Sequence, residues 1–308
     1  MNKILAITGA TGKSGMALCK LIADNKALFQ KHFNSEIRVL VRKTSNIENL
    51  NKLLPNAKFY VGDLSDMEFL KNAFLNVDTI MHIAGIHFSN EIVKAADYTN
   101  VRRLVFVHTT GVYSKYKKAG EIYRNTDSFV YKICKTSNIK LTILRPTMIY
   151  GDIKDNNMVK FIKMVDKLPV MPLVNNGLYQ LQPVFYGDLG RAYFDVLLNE
   201  QATAKMDFNL SGEAPIYLKD MLNIIGNKLG KKVKFINVPF SLAYLCACLV
   251  YLFTIRKIDL REKVQRLCED RIFSHKSAAS AFGYSATSFD QIIQKEIEAY
   301  IKVLKNNK

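Results

Sequence analysis

The sequence predicts an α/β fold: a doubly wound parallel sheet with helices on both faces, followed by a smaller mixed α/β C-terminal domain. Three observations lead to this prediction. Short apolar runs alternate with helical segments through the first 150 residues, a glycine-rich turn separates the first run from the first helix, and the rhythm changes after Gly151. A chain of 308 residues is also long enough for about two ordinary domains.

Six apolar runs have the length and composition of buried parallel strands, and the first of them stops at Gly9. The intervals between them contain segments whose apolar residues recur with the period of a helix. Strand–helix–strand units at this spacing form right-handed crossovers in one sheet. The predicted strands are 3–8, 37–41, 58–61, 79–83, 104–108 and 141–144, and the predicted helices are 16–29, 67–74, 92–98 and one within 121–137.

The second half of the chain is predicted to differ from the first. Helical and irregular pieces alternate there between proline and glycine turns, and no run of strands continues the sheet. We predict a first domain over residues 1–150 and a smaller capping domain over residues 151–308. A return to the first domain is expected at 183–200, where a strand-like PVFY precedes the helical pattern DLGRAYFDVLL.

The composition is that of a globular protein. Hydrophobic residues make up 49% of the chain and charged residues 23%, which excludes a disordered, fibrous or collagen-like protein. The five cysteines and five histidines show neither pairing nor ligand spacing, so we predict no disulfide framework and no metal site. The chain begins Met-Asn-Lys and continues directly into an apolar run, which predicts a cytoplasmic protein without a signal peptide.

The charge balance is strongly basic. Lys and Arg number 44 against 27 Asp and Glu, which gives a net charge of +17. Such a charge attracts phosphates, nucleic acids or an anionic membrane surface. Because the lysines are spread along the whole chain and tryptophan is absent, we favour a solvated basic surface and expect no nucleic-acid partner.

Residues 238–255 contain no charged residue over 18 positions. A membrane-spanning helix needs about 20 apolar residues, and Pro239 shortens this run further. Three alternatives are open: a buried core helix, which we favour, an interfacial helix that makes a membrane-surface contact, and a true span. The basic residues on either side suit the second alternative, and they are Lys231, Lys232, Lys234, Arg256 and Lys257.

The glycine-rich turn predicts a dinucleotide site. Gly9, Gly12 and Gly15 form a GxxGxxG pattern between the first strand and the first helix. In such a turn the first glycine permits the tight bend, the second lets the chain approach a pyrophosphate, and the third lets the helix pack against the strand. Free N–H groups at the helix N-terminus then face the phosphate charge. Lys13 and Ser14 follow Gly12, but the GxxxxGK spacing of a Walker A loop is absent.

The end of the second predicted strand favours NADP over NAD. Enzymes that prefer NAD place an acid here to bind the ribose 2′-hydroxyl, whereas an arginine suits a 2′-phosphate. This chain has Arg42 at the strand end and no acid beside it; a surface arginine is the alternative. Asp63, in the run Gly62-Asp63-Leu64, could accept a hydrogen bond from adenine or cap the helix that begins near Ser65.

These motifs together carry a family resemblance. Besides the glycine turn and Gly62-Asp63-Leu64, the chain has Ala84-Gly85, Thr109-Thr110-Gly111, Leu144-Arg145-Pro146-Thr147, Tyr150-Gly151, Gln182-Pro183-Val184 with Asp188, and a stretch over residues 261–270. In this order they resemble the extended and atypical short-chain dehydrogenase/reductase superfamily, in particular its nucleoside-diphosphate-sugar epimerase-like, NAD(P)-binding members. The resemblance covers nearly the whole chain and implies a Rossmann domain.

The resemblance implies an NADP-dependent oxidoreductase or epimerase/dehydratase that acts on a small carbonyl or nucleotide-sugar-like substrate. The alternative is a non-catalytic NAD(P)-binding sensor or an assembly or scaffold protein, associated in one version with a membrane surface. NADP is the expected cofactor, and NAD is the second choice. Fold alone does not decide between these functions.

Catalysis in the superfamily rests on a Ser or Thr, a Tyr and a Lys, with the last two in a YxxxK spacing. Position favours Tyr113 with Lys117 over the other matches, Tyr131 with Lys135 and Tyr150 with Lys154. The threonines lie unusually close, since Thr110 precedes Tyr113 by three residues. Tyr116 or Tyr123 could therefore occupy the catalytic position, or the segment could be a basic, tyrosine-rich surface helix.

The implied site residues fall into two sets. The catalytic set is Thr110, Tyr113 and Lys117, and the cofactor set is Gly9, Thr11, Gly12, Lys13, Ser14, Gly15, Arg42, Asp63, Leu64, Ala84, Gly85, Lys117, Pro146 and Thr147.

Overall fold

A seven-stranded parallel sheet forms the centre of the protein, and a computed structural model describes residues 3–34, 36–116, 119–155 and 157–306. The strands are β1 (Leu5–Thr8), β2 (Ile37–Val41), β3 (Lys58–Val61), β4 (Thr79–His82), β5 (Arg103–Val107), β6 (Lys140–Pro146), β7 (Ile149–Tyr150), β8 (Met171–Val174), β9 (Gln180–Leu181), β10 (Val184–Phe185), β11 (Asp207–Leu210), β12 (Ile216–Tyr217) and β13 (Phe235–Val238). The sheet runs β3-β2-β1-β4-β5-β6-β11, and every neighbouring pair is parallel.

Helices cover both faces of this sheet. They are α1 (Lys13–Asp24), α2 (Lys26–His32), α3 (Glu48–Leu53), α4 (Met67–Phe74), α5 (Ser89–Tyr98), α6 (Ala119–Thr136), α7 (Met158–Lys167), α8 (Tyr186–Leu198), α9 (Glu200–Thr203), α10 (Leu218–Lys228), α11 (Phe240–Phe253), α12 (Arg261–Arg266), α13 (Lys276–Phe282) and α14 (Phe289–Asn306). Residues of α1, α2, α3, α8 and α13 pack on one face, and residues of α4, α5 and α6 pack on the other. The predicted doubly wound α/β fold is confirmed.

The direction in which the chain adds strands to the sheet reverses at β1. Strands β2 and β3 lie on one side of β1, and β4, β5 and β6 lie on the other. In a doubly wound sheet this switch point creates a crevice at the carboxyl ends of the strands, where ligands bind. Strands β1 and β4 are buried along their whole length, as expected for strands covered on both faces. The fold therefore places the turns after these strands at the mouth of one crevice.

The chain returns to the first core after Gly151. Helix α8 packs against α1 so closely that a Cβ built on Gly190 would lie 2.4 Å from the Cβ of Ala17. Strand β11 then pairs in parallel with β6. The prediction that no strand of the second half continues the sheet is therefore wrong for this segment. Two residues near the end of the chain, Ala278 and Tyr284, complete the same core.

A second, smaller core lies beyond the sheet. It contains residues of α7, α10 and α14 together with the short strands β8 and β9, and Tyr150 belongs to it. Strand β13 pairs with β8, and β12 pairs with β9. The second half of the chain thus contributes to both cores, one beside the sheet and one in this mixed α/β unit.

The predicted helix over residues 16–29 is two helices, α1 and α2. They separate at Asn25, whose side-chain amide donates a hydrogen bond to the Leu21 carbonyl at 3.0 Å. That carbonyl also accepts from the Asn25 backbone N–H. Because a side chain and a backbone group both use the last carbonyl of the turn, α1 ends here.

Helix α11 corrects the preferred prediction for residues 238–255. Only Ala247 of this helix is buried, so the segment is not a core helix. Leu252 and Phe253 are 62% and 82% exposed. None of the helices within the described ranges combines the length and apolar composition that a membrane crossing requires. The apolar segment is therefore a surface helix.

Candidate functional site

A cleft of about 580 Å³ opens at the carboxyl ends of β1, β2, β3 and β4. It lies at the switch point of the sheet, where this fold class binds its ligands. The residues that line it are Gly9, Thr11, Gly12, Ser14, Leu40, Val41, Arg42, Ser45, Gly62, Asp63, Leu64, Ser65, Ile83, Ala84 and Phe88. Eight of the residues predicted to bind the cofactor are among them.

The glycine turn gives the cleft its floor. Gly9 has φ +77°, and a Cβ there would lie 2.6 Å from the backbone nitrogen of Ala84. A Cβ on Gly15 would lie 2.3 Å from the Gly9 carbonyl oxygen, so the helix approaches the turn closely only because both residues are glycine. Gly12 precedes α1 and no side chain caps the helix. The first backbone N–H groups of α1 therefore remain available to an anion in the cleft.

Arg42 and Asp63 line the far end of the cleft, and both side chains are exposed. Asp63 accepts hydrogen bonds from the backbone N–H and the hydroxyl of Ser65, at 2.9 and 2.7 Å. These bonds lower the pKa of the Asp63 carboxyl, and the nearby Arg42 lowers it further. Asp63 is not the helix cap, because Asp66 accepts from the first N–H groups of α4.

His82, at the end of β4, orders the turn that packs against Gly9. The Thr8 hydroxyl donates to its Nδ1 at 2.7 Å, and its Nε2–H donates to the Gly85 carbonyl at 3.0 Å. Burial lowers the pKa of His82 to about 3, so the ring stays neutral and this pattern persists. Gly85 has φ +109°, which favours glycine at this turn. The histidine thereby holds Ala84 and Gly85 beside the cleft.

Several predicted cofactor residues do not line the cleft. Lys13 forms an ion pair with Asp152 at 2.5 Å. Thr147 donates its hydroxyl to the Gln182 carbonyl, and the Pro146 carbonyl accepts from Thr110. Gly15 and Gly85 support the turns behind the lining residues. Lys117 lies outside the described residues.

A second, smaller pocket of about 100 Å³ lies beside the 3-10 turn Thr110–Tyr113 that follows β5. Its opposite wall is the segment that follows α12. The residues that line the pocket are Thr110, Gly111, Tyr113, Ser114, Arg266, Glu269, Asp270, Arg271 and Phe273. Glu269 ties the two walls together, since it accepts from the Ser114 hydroxyl and the Lys115 backbone N–H at 2.7 and 2.9 Å.

Tyr113 presents its phenol at this pocket. The side chain is 50% exposed, and its hydroxyl donates to Asn209 Oδ1 at 3.4 Å. The ring lies 5.4 Å from the ring of Phe273, and the Arg145 guanidinium lies 5.9 Å from the ring centroid of Tyr113. Thr110 is buried, and its hydroxyl donates to the Pro146 carbonyl at 3.2 Å. The close sequence spacing places Thr110 and Tyr113 in one helical turn.

Two arginines lie on the second wall of the small pocket, beside Glu269 and Asp270. The Nε atoms of Arg266 and Arg271 are buried, and neither has a hydrogen-bond partner within the described ranges. Burial lowers the pKa of Arg271, because a charged guanidinium is costly away from water. Unpaired buried donors of this kind favour an anionic ligand. Sequence reasoning missed both, although they lie within and just after the stretch over residues 261–270.

A buried charged network behind the pocket was also missed. His108 contacts Asp127 through Nδ1 at 2.6 Å and Ser89 through Nε2 at 2.9 Å. Arg145 forms ion pairs with Asp127 and with Asp207, at 2.7 and 2.8 Å. Burial lowers the pKa of His108 despite the neighbouring carboxylate. A neutral His108 donates to Asp127 and accepts from Ser89, so the network positions Arg145 beneath the Tyr113 ring.

The other tyrosine candidates have different surroundings. Tyr123 is buried on α6, 5.9 Å from the His87 ring, and the residue one turn later is Asp127 rather than a lysine. The Tyr131 hydroxyl donates to Asp207, and Tyr150 is buried in the second core. Tyr116 is 44% exposed. Only Tyr113 among these lines the small pocket.

The cleft geometry agrees with a family comparison. The model of the NAD(P)H-binding family matches residues 9–168, which is more than half of the chain. The chain belongs to this NAD(P)H-binding family. Its matched region begins at the first glycine of the turn and includes every residue that lines the cleft. The resemblance to NAD(P)-binding short-chain dehydrogenases/reductases is confirmed.

Curated relatives of this NAD(P)H-binding protein include sugar-modifying enzymes. A dTDP-D-glucose 4,6-dehydratase of Dictyostelium discoideum is 31% identical over 201 residues, covering 58% of this chain and 44% of the relative. The chain therefore spans less than half of that relative. An N-acetyl-alpha-D-glucosaminyl-diphospho-ditrans,octacis-undecaprenol 4-epimerase of Escherichia coli is 21% identical, covering 82% of this chain and 88% of the relative.

Solved structures share the fold over almost the full length. A nucleoside-diphosphate-sugar epimerase from Pseudomonas aeruginosa superposes with a TM-score of 0.75 at 15% identity, and the match covers 98% of this chain and 99% of that one. At this identity the likeness establishes the shared architecture, including the second core, and nothing further.

Proposed function

We propose that the protein is an NADP-dependent oxidoreductase or epimerase/dehydratase that acts on a nucleotide-sugar-like or other small carbonyl substrate. The observation that carries this proposal is the small pocket, where Tyr113 stands beside Thr110 and faces two arginines with unpaired buried donors. A tyrosine near an anion-binding wall suits acid–base chemistry on a phosphorylated sugar. The alternative of a non-catalytic sensor or scaffold receives no support from the comparisons.

The cleft residues fit a dinucleotide. The glycines at positions 9, 12 and 15 leave the space that a Cβ would fill, and the uncapped start of α1 would face the pyrophosphate. Arg42 would pair with a 2′-phosphate, and the residues that follow β2 include no acid before Glu48. Asp63 would accept from adenine. When bound, NADP would supply hydride transfer to or from the substrate.

Tyr113 is proposed as the general acid or base. Its side chain is half exposed and lines the small pocket, and the buried Arg145 guanidinium lies 5.9 Å from the centre of its ring. We propose Lys117, four residues later, as a second cation and as the ribose ligand. At Tyr123 the residue four positions later is Asp127 rather than a lysine.

Thr110 and the two arginines are proposed to orient the substrate. The Thr110 hydroxyl already donates to Pro146, so its oxygen is free to accept from a sugar hydroxyl. Arg266 and Arg271 would bind a diphosphate, in keeping with relatives whose names contain dTDP and diphospho groups. These contacts would hold the reacting carbon at Tyr113.

The test compares sugar conversion by Tyr113→Phe with that by the wild-type protein. Purified protein is incubated with NADP or NAD and a panel of UDP- and dTDP-sugars, and products are followed by NMR and by the absorbance of reduced nicotinamide. We expect Tyr113→Phe to lose at least about 100-fold in turnover, since general acid–base catalysis contributes about that much. Dinucleotide affinity should remain within about twofold, because the phenol serves the transition state.

Tyr116→Phe is the matched control, because Tyr116 is an exposed neighbour that does not line the pocket. It should keep wild-type turnover. If Tyr123→Phe loses turnover while Tyr113→Phe keeps it, the acid–base group lies on α6 and the assignment of Tyr113 is refuted. Absence of conversion for every sugar and carbonyl tested would contradict the proposed function.

A further inference from the structure

Helix α11 presents an apolar surface that the described residues leave uncovered. Its sequence is FSLAYLCACLVYLF, and Ala247 is its one buried residue. Leu242, Leu245 and Leu252 are 50%, 55% and 62% exposed. A contiguous apolar patch of this kind marks a site of association with a membrane or a protein, because its exposure to water is unfavourable.

The helix rests on the protein along one side only. It packs on α12, where the Arg261 guanidinium lies 4.0 Å from the Tyr251 ring centroid. At its start, the Phe240 backbone N–H donates to Asn175 Oδ1 at 3.2 Å. These contacts hold α11 against the molecule and leave the leucines on its outer side facing solvent.

The charges around α11 complement an anionic surface. Residues 221–258 contain six Lys and Arg and no Asp or Glu. Lys228 and Lys231 form ion pairs with Asp290 and Asp166. The others form no ion pair with any described residue, and they are Lys232, Lys234, Arg256 and Lys257. Each unpaired cation near an anionic bilayer contributes attraction that salt screens.

The length of α11 favours a helix that lies in the plane of the interface over one that crosses the bilayer. Fourteen residues extend about 21 Å, which is shorter than the roughly 30 Å hydrocarbon core. Phe240 and Tyr244 stack near one end, with ring centroids 5.7 Å apart, and Phe253 lies at the other. Phe and Leu on the apolar side are typical of interfacial helices.

We propose that α11 docks the protein on an anionic bilayer surface, with Lys232, Lys234, Arg256 and Lys257 contacting lipid headgroups. A second copy of the chain is a poorer occupant of this face. Self-association through α11 would bring these cations together, and each chain carries a net charge of +17. An anionic bilayer satisfies both the apolar and the basic parts of the surface.

The test is co-sedimentation of the whole protein with vesicles. One set contains phosphatidylcholine alone, and the other contains an equal part of phosphatidylglycerol. We expect binding to the anionic set that weakens as salt is added. Leu245→Glu/Leu252→Glu should abolish binding without lowering the thermal midpoint, because both side chains are exposed.

Two double charge-reversal variants distinguish the effect of the charges beside α11 from the effect of the net charge of the protein. Arg256→Glu/Lys257→Glu should weaken partitioning at least about tenfold, since each basic residue near an anionic surface contributes a factor of about five. Lys20→Glu/Lys31→Glu changes the net charge equally through exposed residues of α1 and α2, and it should retain most of the binding. Equal loss in both pairs would overturn the proposal.

Two further results would also overturn it. One is wild-type protein that stays in the supernatant with every vesicle. The other is a concentration-dependent dimer, seen without lipid, that Leu245→Glu/Leu252→Glu converts to monomer, because α11 would then be covered by a second copy.

Discussion

Arg42 is the residue on which cofactor choice is expected to depend. It lines the cleft, and a charge-assisted hydrogen bond to a 2′-phosphate contributes about 1.5–3 kcal/mol. We therefore expect wild-type protein to bind NADP(H) at least tenfold more tightly than NAD(H), in fluorescence titrations of the reduced forms. Arg42→Ala should remove this preference mainly by weakening NADP(H). Lys43→Ala is the control, since Lys43 does not line the cleft. An unchanged preference in Arg42→Ala would refute the role.

Glu296 is a buried carboxyl whose surroundings oppose ionisation. Its Oε2 accepts from the Gly151 backbone N–H at 2.9 Å, whereas Oε1 has no partner within the described ranges. Burial and the neighbouring Asp155 raise the pKa of Glu296 to about 8. Protonation of Glu296 removes its repulsion with the Asp155 carboxylate, which is why the neutral form is favoured.

This pKa makes stability depend on pH in a definite direction. Between the ordinary glutamate pKa and about 8 the native state holds a proton that the unfolded chain releases, so the free energy of unfolding falls as pH rises. Glu296→Gln should therefore raise the thermal midpoint at pH 8 by several degrees and change it little at pH 4.5. Glu298→Gln, exposed on the same helix, is the control and should show no such difference. If the thermal midpoint of Glu296→Gln fell with pH as steeply as that of the wild type, Glu296 would not be the source of the pH dependence.

Elements of the first half could be predicted closely because both faces of the sheet are buried. A strand covered on two sides is an unbroken apolar run, which is readable without its neighbours. The six predicted strands agree with β1–β6 to within a few residues. Strand β11 was not readable in this way. It lies at the edge of the sheet, and it begins with the charged residue Asp207, which forms an ion pair with Arg145 of β6.

Helix α11 shows what an apolar run leaves undecided. Eighteen residues without charge indicate a segment that avoids water, and they do not indicate which partner removes it from water. The core-helix prediction assumed that the partner is the rest of the chain. Burial of a single residue in α11 shows that it is not.

The small pocket illustrates a similar limit. The Thr110–Tyr113 spacing looked too short for a catalytic pair, yet one 3-10 turn places both residues on the same wall. The His108–Asp127–Arg145 network was hidden because its members come from three separate elements. Such contacts depend on how strands and helices are arranged, which local patterns do not specify.

At the scale of the whole molecule, the first core depends on residues from the end of the chain. The rings of Phe282 and Phe208 lie 5.2 Å apart, and the Tyr284 hydroxyl donates to the Ser211 carbonyl at 2.8 Å. Ala278 is buried in the same core. The dinucleotide cleft therefore rests on a core that spans nearly the full sequence.

Truncation tests this dependence. A chain that ends at His275 should lose cooperative thermal unfolding and NADP(H) binding, because removal of several buried side chains costs more than the usual 5–15 kcal/mol of stability. A chain that ends at Lys302 loses the exposed residues Val303 and Leu304 and the four residues after them, and it should behave as the wild type. Calorimetry and NADPH titration measure the two properties. Cooperative unfolding of the shorter chain would show that the core closes without α13.

The late position of Ala278 also affects synthesis. The six leading strands leave the ribosome first, and Ala278 is the 132nd residue after Pro146. At usual elongation rates this stretch takes roughly 7–26 s to make. Until α8 and α13 are both in place, the face of the sheet that they help to cover leaves apolar side chains open to chaperones or to neighbouring nascent chains. We therefore expect translation speed after β6 to affect yield, independently of the stability of the finished protein.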